Sequence, residues 1–154
     1  MDFWVEYPNP IIDTNAKTIT LLDGGEKKMT GVTTEFVARC IGAIVAMPEE
    51  FTNNQRIRIA EIEYTGKALL QTFEEVTNEK WTVVDRSTDE ILNGAVEAGG
   101  KGDKREFYMG NIIKLNFDGE GAGYFEEGTK WLEGAVKRQS LTEIVERSIS
   151  RLSW

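Results

Sequence analysis

The 154-residue chain is 40% hydrophobic and 29% charged, which fits one compact domain with a real core. Its net charge of −8 sets it against phosphate backbones, and the short mixed runs KK (27–28) and KGDKR (101–105) read as solvated loop charge, so nucleic acid is not an expected partner. With no histidine and a single cysteine, Ser-His-Asp and Cys-His catalysis, an internal disulfide and a transition-metal site are all excluded as expectations.

The N-terminus, MDFWVEYPNP, is acidic and carries two prolines, unlike a signal peptide. The first periodic segment is the strand TITLL (18–22), which follows an irregular stretch from Ile12. Gly24 and Gly25 then make a turn. Met29 to Thr34 leads into a helix capped by Thr33 or Thr34, with Phe36, Val37, Cys40, Ile41, Ile44 and Val45 at helical spacing. Cys40 lies inside its apolar run FVARCIGAIVAM and reads as a buried structural thiol. The stretch IGAIVAM is the longest apolar run and is too short to span a bilayer, so a soluble, cytoplasmic protein without membrane contact is expected.

RIRIAEIEY (56–64) alternates as a strand does, with Ile57, Ile59 and Ile62 inward. Thr65 is a natural N-cap for a helix carrying Leu69, Leu70, Phe73 and Val76. WTVVDRS (81–87) is the third strand. Ser87 with Glu90 reads as a capping box opening the helix DEILNGAVEA, and GGKGD (99–103) as a loop. FYMGNIIKLNF (107–117) reads as a helix whose broad face holds Phe107, Ile112, Ile113, Leu115 and Phe117. Ser140 and Glu143 form a second capping box before a last helix with Leu141, Ile144, Val145 and Ile149 inward. Strands alternating with helices predict an α/β domain with a small sheet and several packed helices.

The glycine-rich run NFDGEGAGYF (116–125) tests for a dinucleotide loop. Such a loop needs strand, G-x-G-x-x-G, helix: one glycine for the turn, one for pyrophosphate approach, one for helix packing. Gly119 and Gly121 fit the first two places, but Tyr124 holds the third. Glu120, Glu126 and Glu127 bring negative charge where bare N–H groups should face a pyrophosphate. The segment before the run reads as helix. The run is therefore a structural or substrate-side loop, and no cofactor is expected.

The stretch LLDGGEKKMTGVTTEFVARCIGAIVAMPEEFTNNQRIRIAEIEYTGKALLQTFEEVTNEKWTV orders a DGG turn, a Thr-started helix containing IG, a PE turn, an N-x-R strand, a Thr-capped helix rich in Leu and Glu, and KWTV. In that order it resembles the C-terminal half of the NmrA-like, isoflavone-reductase-like family of atypical short-chain dehydrogenases, and is most similar to fungal members. FDGEGAGYFEEG…SLTEIVERSI is similar to the tail of the same family. The resemblance runs from about Phe3 to Ile149. It implies a single substrate-binding domain over 1–154 without a complete Rossmann fold. The family's Rossmann half, with its G-x-x-G-x-x-G loop, NAD(P)H and catalytic lysine or tyrosine, has no counterpart in this sequence. Gly119, Gly121 and Gly123 would then belong to a substrate lid.

The resemblance also points to where a ligand would lie. Phe3, Trp4, Met29, Ile112, Phe117 and Phe125 are the candidate substrate-binding residues, in a pocket lined by apolar and aromatic groups. Without histidine, proton chemistry falls to carboxylates, tyrosine or lysine. Glu6, Glu106 and Asp118 are candidate acids or bases, because a carboxyl group in an apolar pocket has a raised pKa. Tyr108 and Tyr124 are candidate hydrogen-bond donors to a carbonyl oxygen. Three functional readings follow. The first is a cofactor-independent isomerase, cyclase or lyase acting on an apolar small molecule in fungal secondary metabolism, and it leads. The second is half of an NAD(P)H-dependent reductase. The third is a non-catalytic binding or regulatory module. The face left bare by a missing Rossmann half implies a homodimer.

Overall fold

A computed structural model describes residues 11–118, 123–124 and 134–152. Five strands and six helices lie among them: β1 (Ile12–Asp13), β2 (Thr18–Leu22), β3 (Met29–Gly31), α1 (Thr34–Val45), α2 (Glu49–Thr52), β4 (Ile62–Tyr64), α3 (Gly66–Thr77), β5 (Thr82–Arg86), α4 (Thr88–Gly100), α5 (Lys104–Phe117) and α6 (Leu141–Leu152). This is an α/β architecture with small sheets and no closed barrel. One sheet has the order β1-β2-β5, antiparallel between β1 and β2 and parallel between β2 and β5. The other is the antiparallel pair β3-β4.

The five helices longer than one turn each start on a side-chain cap. The hydroxyl of Thr33 accepts from the Phe36 N–H at 3.1 Å, that of Thr65 from Ala68 at 3.1 Å, and that of Ser87 from Asp89 at 3.1 Å. The Asp103 carboxylate accepts from Glu106 at 3.0 Å. Ser140 and Glu143 form the full reciprocal box, with Glu143 N–H on Ser140 Oγ at 3.2 Å and Ser140 N–H on Glu143 Oε2 at 2.6 Å. Ser87 caps α4 without the return bond from Glu90 that the sequence suggests. Between β2 and β3 the chain reverses through Asp23–Gly25, where Gly24 and Gly25 hold φ of +78° and +71°. L side chains rarely adopt those angles, which is why the DGG turn carries two glycines.

The main core gathers Ile12, Ile19, Leu22, Leu69, Phe73, Trp81, Ile91, Ile113 and Val145 from both edges of β2 and four helices. Phe73 and Trp81 stack tilted at 4.6 Å between ring centres, and Trp81 donates its indole N–H to Thr77 at 3.1 Å. A smaller core under α1 holds Phe36, Cys40 and Val136. The two are tied by a buried carboxylate. Glu61 is fully enclosed and accepts from the N–H of Thr33 at 2.9 Å, the hydroxyl of Thr33 at 2.7 Å and the N–H of Gln139 at 3.3 Å. It thereby fixes the start of α1 to the segment that leads into α6.

Three sequence expectations are corrected. Of residues 56–64 only Ile62–Tyr64 form a strand, because β3 offers just three residues to pair with; alternation without a partner ladder does not make a strand. Ile41 and Val45 are 55% and 80% exposed, since α1 buries the face of Phe36 and Cys40 and these two lie round the helix from it. In α5 the buried residues are Gly110 and Ile113, while Phe107, Tyr108, Ile112 and Leu115 are exposed. No helix among the described residues is long and apolar enough to cross a membrane.

Helices α4 and α5 are neighbours joined by three residues, and Gly110 marks their closest approach. A Cβ there would fall 2.3 Å from that of Ala95 and 3.2 Å from the Ile91 carbonyl oxygen. Alanine ordinarily favours a helix over glycine by about 1 kcal/mol. Here overpacking wins: Gly110→Ala is expected to destabilise by about 1–3 kcal/mol in urea unfolding. A stabilised variant would contradict the close packing.

Candidate functional site

An apolar cleft opens where β1, β2, the DGG turn, β3, the end of β4, the start of α3 and the end of α5 meet. Its walls are Ile11, Ile12, Ile19, Leu22, Met29, Leu69 and Phe117, with Lys27 and Tyr64 as the titratable groups among the described lining residues. The space is about 550 Å³ with its open mouth included, but the room it leaves for a water-sized sphere is only about 30 Å³, so the cleft is narrow. A shallower groove shares Met29, Tyr64 and Phe117 and continues past Thr30, Gly31, Asn116 and Gly123. These three shared side chains thus form a partition between two connected depressions.

Tyr64 ends β4, one residue before the Thr65 cap, so the strand and the cap together fix where its ring lies. Burial pushes its phenol up to about 12, which keeps it protonated at neutral pH. Among the described residues its hydroxyl meets no hydrogen-bond partner. Tyr64 as a whole is half-buried, and its hydroxyl is not among the enclosed polar atoms, so it is open to a water or to a ligand oxygen at the cleft.

The turn and α5 are held against the cleft by a polar relay. Asp23 accepts from the Thr88 N–H at 2.9 Å and the Thr88 hydroxyl at 2.8 Å, and pairs with Lys27 at 3.0 Å. Burial pushes the Asp23 carboxyl up, but the two Thr88 donors and the Lys27 ammonium outweigh it and leave the group below its ordinary value of 3.8. Lys27 also donates to the carbonyl of Asp118, which follows α5. Lys114 donates to the Thr88 hydroxyl at 3.2 Å and pairs with Asp89 at 2.7 Å, with Asp118 Oδ2 at 3.9 Å. Sheet end, start of α4 and end of α5 are thereby joined, and Phe117 is set on the cleft.

Of the candidate residues, Met29 and Phe117 line the cleft. Asp118 sits next to it but spends its groups on Lys27 and Lys114. Tyr124 donates its hydroxyl at 2.9 Å to Glu63, which also pairs with Lys28 at 2.7 Å. Gly123 accepts from the Thr30 N–H at 2.8 Å, so the end of the glycine-rich run lies against β3. Glu106 is exposed in the first turn of α5, and Tyr108 and Ile112 are exposed away from the cleft. Phe3, Trp4, Glu6, Phe125, Gly119 and Gly121 lie outside the described residues.

Sequence reasoning missed Tyr64, Lys27 and Asp23. Tyr64 stands two residues beyond Ile62 in the alternating segment, a period that places both on one side of a strand. Asp23 and Lys27 stand four apart across the DGG turn. Among the described residues no group of three or more Asp, Glu, Cys or His is placed to hold a metal ion. Compared with family models, curated proteins and solved structures, the chain matches none.

The hydrogen bond to Asp89 raises the Lys114 ammonium; burial opposes it, and the charges of Asp89, Asp118 and Asp23 add to the rise. A raised folded pKa means this contribution is full below the ordinary value of 10.5 and fades as pH climbs through the folded one. Lys114→Met is therefore expected to lower the melting temperature at pH 7, with the gap from wild type closing at strongly alkaline pH. A gap that stays constant to the alkaline limit would assign the effect to packing instead.

Proposed function

We propose that the chain is a small-molecule-binding domain, derived from the substrate-side lobe of an NmrA-like reductase, whose cleft takes an apolar molecule bearing one hydrogen-bond acceptor. The observation that carries this reading is the Tyr64 hydroxyl, which meets no partner among the described residues and stands in a largely apolar cleft. The pattern is that of ligand sites in general: broad apolar walls for affinity, few polar groups for orientation. The ordered motifs of residues 21–83 support the same descent.

Binding is favoured over acid/base catalysis by the state of the groups present. A general acid or base works best with a pKa near the operating pH. Tyr64, at about 12, is a donor to an oxygen rather than a base, and Lys27 is engaged by Asp23. Of the carboxylates proposed for proton transfer, Glu106 is exposed, Asp118 is engaged, and Glu6 lies outside the described residues. The ligand moves Met29 and Phe117 apart as it enters, because the cleft is narrow. No nicotinamide is needed in this reading.

The test uses two probes of one shape, an aryl ketone and the corresponding hydrocarbon, titrated into isotope-labelled protein and followed by chemical shift. Both are expected to saturate, with the largest shifts at Met29, Tyr64 and Phe117. Tyr64→Phe is expected to weaken the ketone about 2- to 10-fold and to leave the hydrocarbon unchanged, as the loss of one neutral hydrogen bond requires. Non-saturating shifts for both probes, or equal weakening of both, would overturn the proposal.

A further inference from the structure

Among the described residues β5 is the outer strand of its sheet, and all five of its residues are exposed. Val83 and Val84 point to opposite faces and are 42% and 39% exposed. Strands of parallel pairs are normally covered on both faces, and exposed edges are normally blunted by lysine, proline or a bulge. β5 has neither lysine nor proline, and its charges, Asp85 and Arg86, stand only at its end.

The register says which backbone groups are spent. Thr82 donates its N–H to Lys17 at 2.8 Å, and Thr18 to Leu22 pair in step with Thr82 to Arg86. Thr82, Val84 and Arg86 therefore turn their N–H and C=O groups toward β2. Val83 and Asp85 turn theirs outward, where no strand among the described residues meets them.

We propose that β5 pairs antiparallel with β5 of a second copy about a two-fold axis at Val84, giving the strand order β1-β2-β5-β5-β2-β1. Val83 then exchanges both backbone bonds with Asp85 of the partner subunit, and Asp85 with Val83 of the partner subunit. Both outward residues are satisfied at once, and the two Val84 side chains meet in the close, non-hydrogen-bonded position. A register centred on Asp85 sets two carboxylates directly opposite each other, which is destabilising. One centred on Val83 sets Trp81 against Asp85, but the Trp81 N–H is already given to Glu74 at 3.2 Å. Registers between these oppose an outward residue with an inward one and form no ladder. A second copy is thus the occupant that the edge specifies by its own symmetry. No residue of β5 is among the described lining of the ligand cleft, so this pairing stands apart from the binding proposal.

The experiment combines light scattering with cross-linking on the full chain. Wild type is expected at twice 17.4 kDa. Val83→Pro removes only an outward N–H and is expected to raise the dimer dissociation constant about tenfold. Val84→Cys is expected to form an intermolecular disulfide on mild oxidation, since Cα atoms of such a pair lie about 4.5 Å apart. Ile112→Cys, on the exposed face of α5, is expected not to. Cys40 is buried and does not compete. A monomeric mass at all concentrations overturns the proposal and leaves the edge to a strand of another protein. A dimer that cross-links through Ile112→Cys but not Val84→Cys overturns it in favour of the exposed α5 face. Should Val83→Pro fail to fold, judged by circular dichroism, the cross-linking pair decides alone.

Discussion

The cleft exists because one carboxylate holds three elements together. Asp23 sits where β2 gives way to the DGG turn, and its two oxygens meet the first N–H and the hydroxyl of α4 through Thr88. Through Lys27 and the carbonyl of Asp118 the same turn reaches the end of α5. Thr88 is 1% exposed, so its donors have no water to turn to. Remove the carboxylate and a buried N–H is left unmet, a loss of about 1–3 kcal/mol, while Phe117 loses the anchor that sets it on the cleft. Asp23 itself holds a positive φ of +48°, and the two glycines after it turn the chain on toward β3.

Much of this frame was legible in the sequence wherever local chemistry decides. Thr33, Thr65, Ser87 and Ser140 announce helix starts because hydroxyls satisfy N–H groups a few residues on, an interaction that needs nothing distant. TITLL and TVVDR are strands in both readings. Long-range pairing was not legible. Alternation in 56–64 says which side chains share a face but not whether a partner strand runs alongside, and β3 stops after Gly31. The inward face of α5 was misjudged because two apolar stripes compete on it, and the close approach of Gly110 to Ala95 selects the less bulky one. Tyr64 stayed hidden because the cleft it lines is built from seven elements, and no local pattern assembles them.

Two features of the surface stand out against an otherwise ordinary domain. One is the cleft, where the Tyr64 hydroxyl meets no partner among the described residues. The other is the apolar surface left outside: the β5 edge, and the stripe of Tyr108, Ile112 and Leu115 along α5. An acidic chain keeps itself apart from copies by charge repulsion, yet repulsion falls off within about 10 Å in physiological salt and does not prevent backbone pairing once strands meet. The proposed ligand binding and the proposed self-association thus draw on different parts of the molecule. The first rests on side chains that the Asp23 relay positions. The second rests on backbone groups that β2 leaves unused.

The most direct test of this account is the unfolding free energy of wild type and Asp23→Asn measured by denaturant from pH 7 down to pH 2.5. The folded Asp23 carboxyl lies below its ordinary value of 3.8, so its stabilisation is present above that value and is lost as pH falls through the lower folded one. The account predicts that the variant is less stable at neutral pH by about 1–2 kcal/mol, with the gap closing toward the acid end. It also predicts that the cleft resonances of Phe117 shift in the variant. A gap independent of pH, or no gap at pH 7, would contradict the claim that this carboxylate holds the site together.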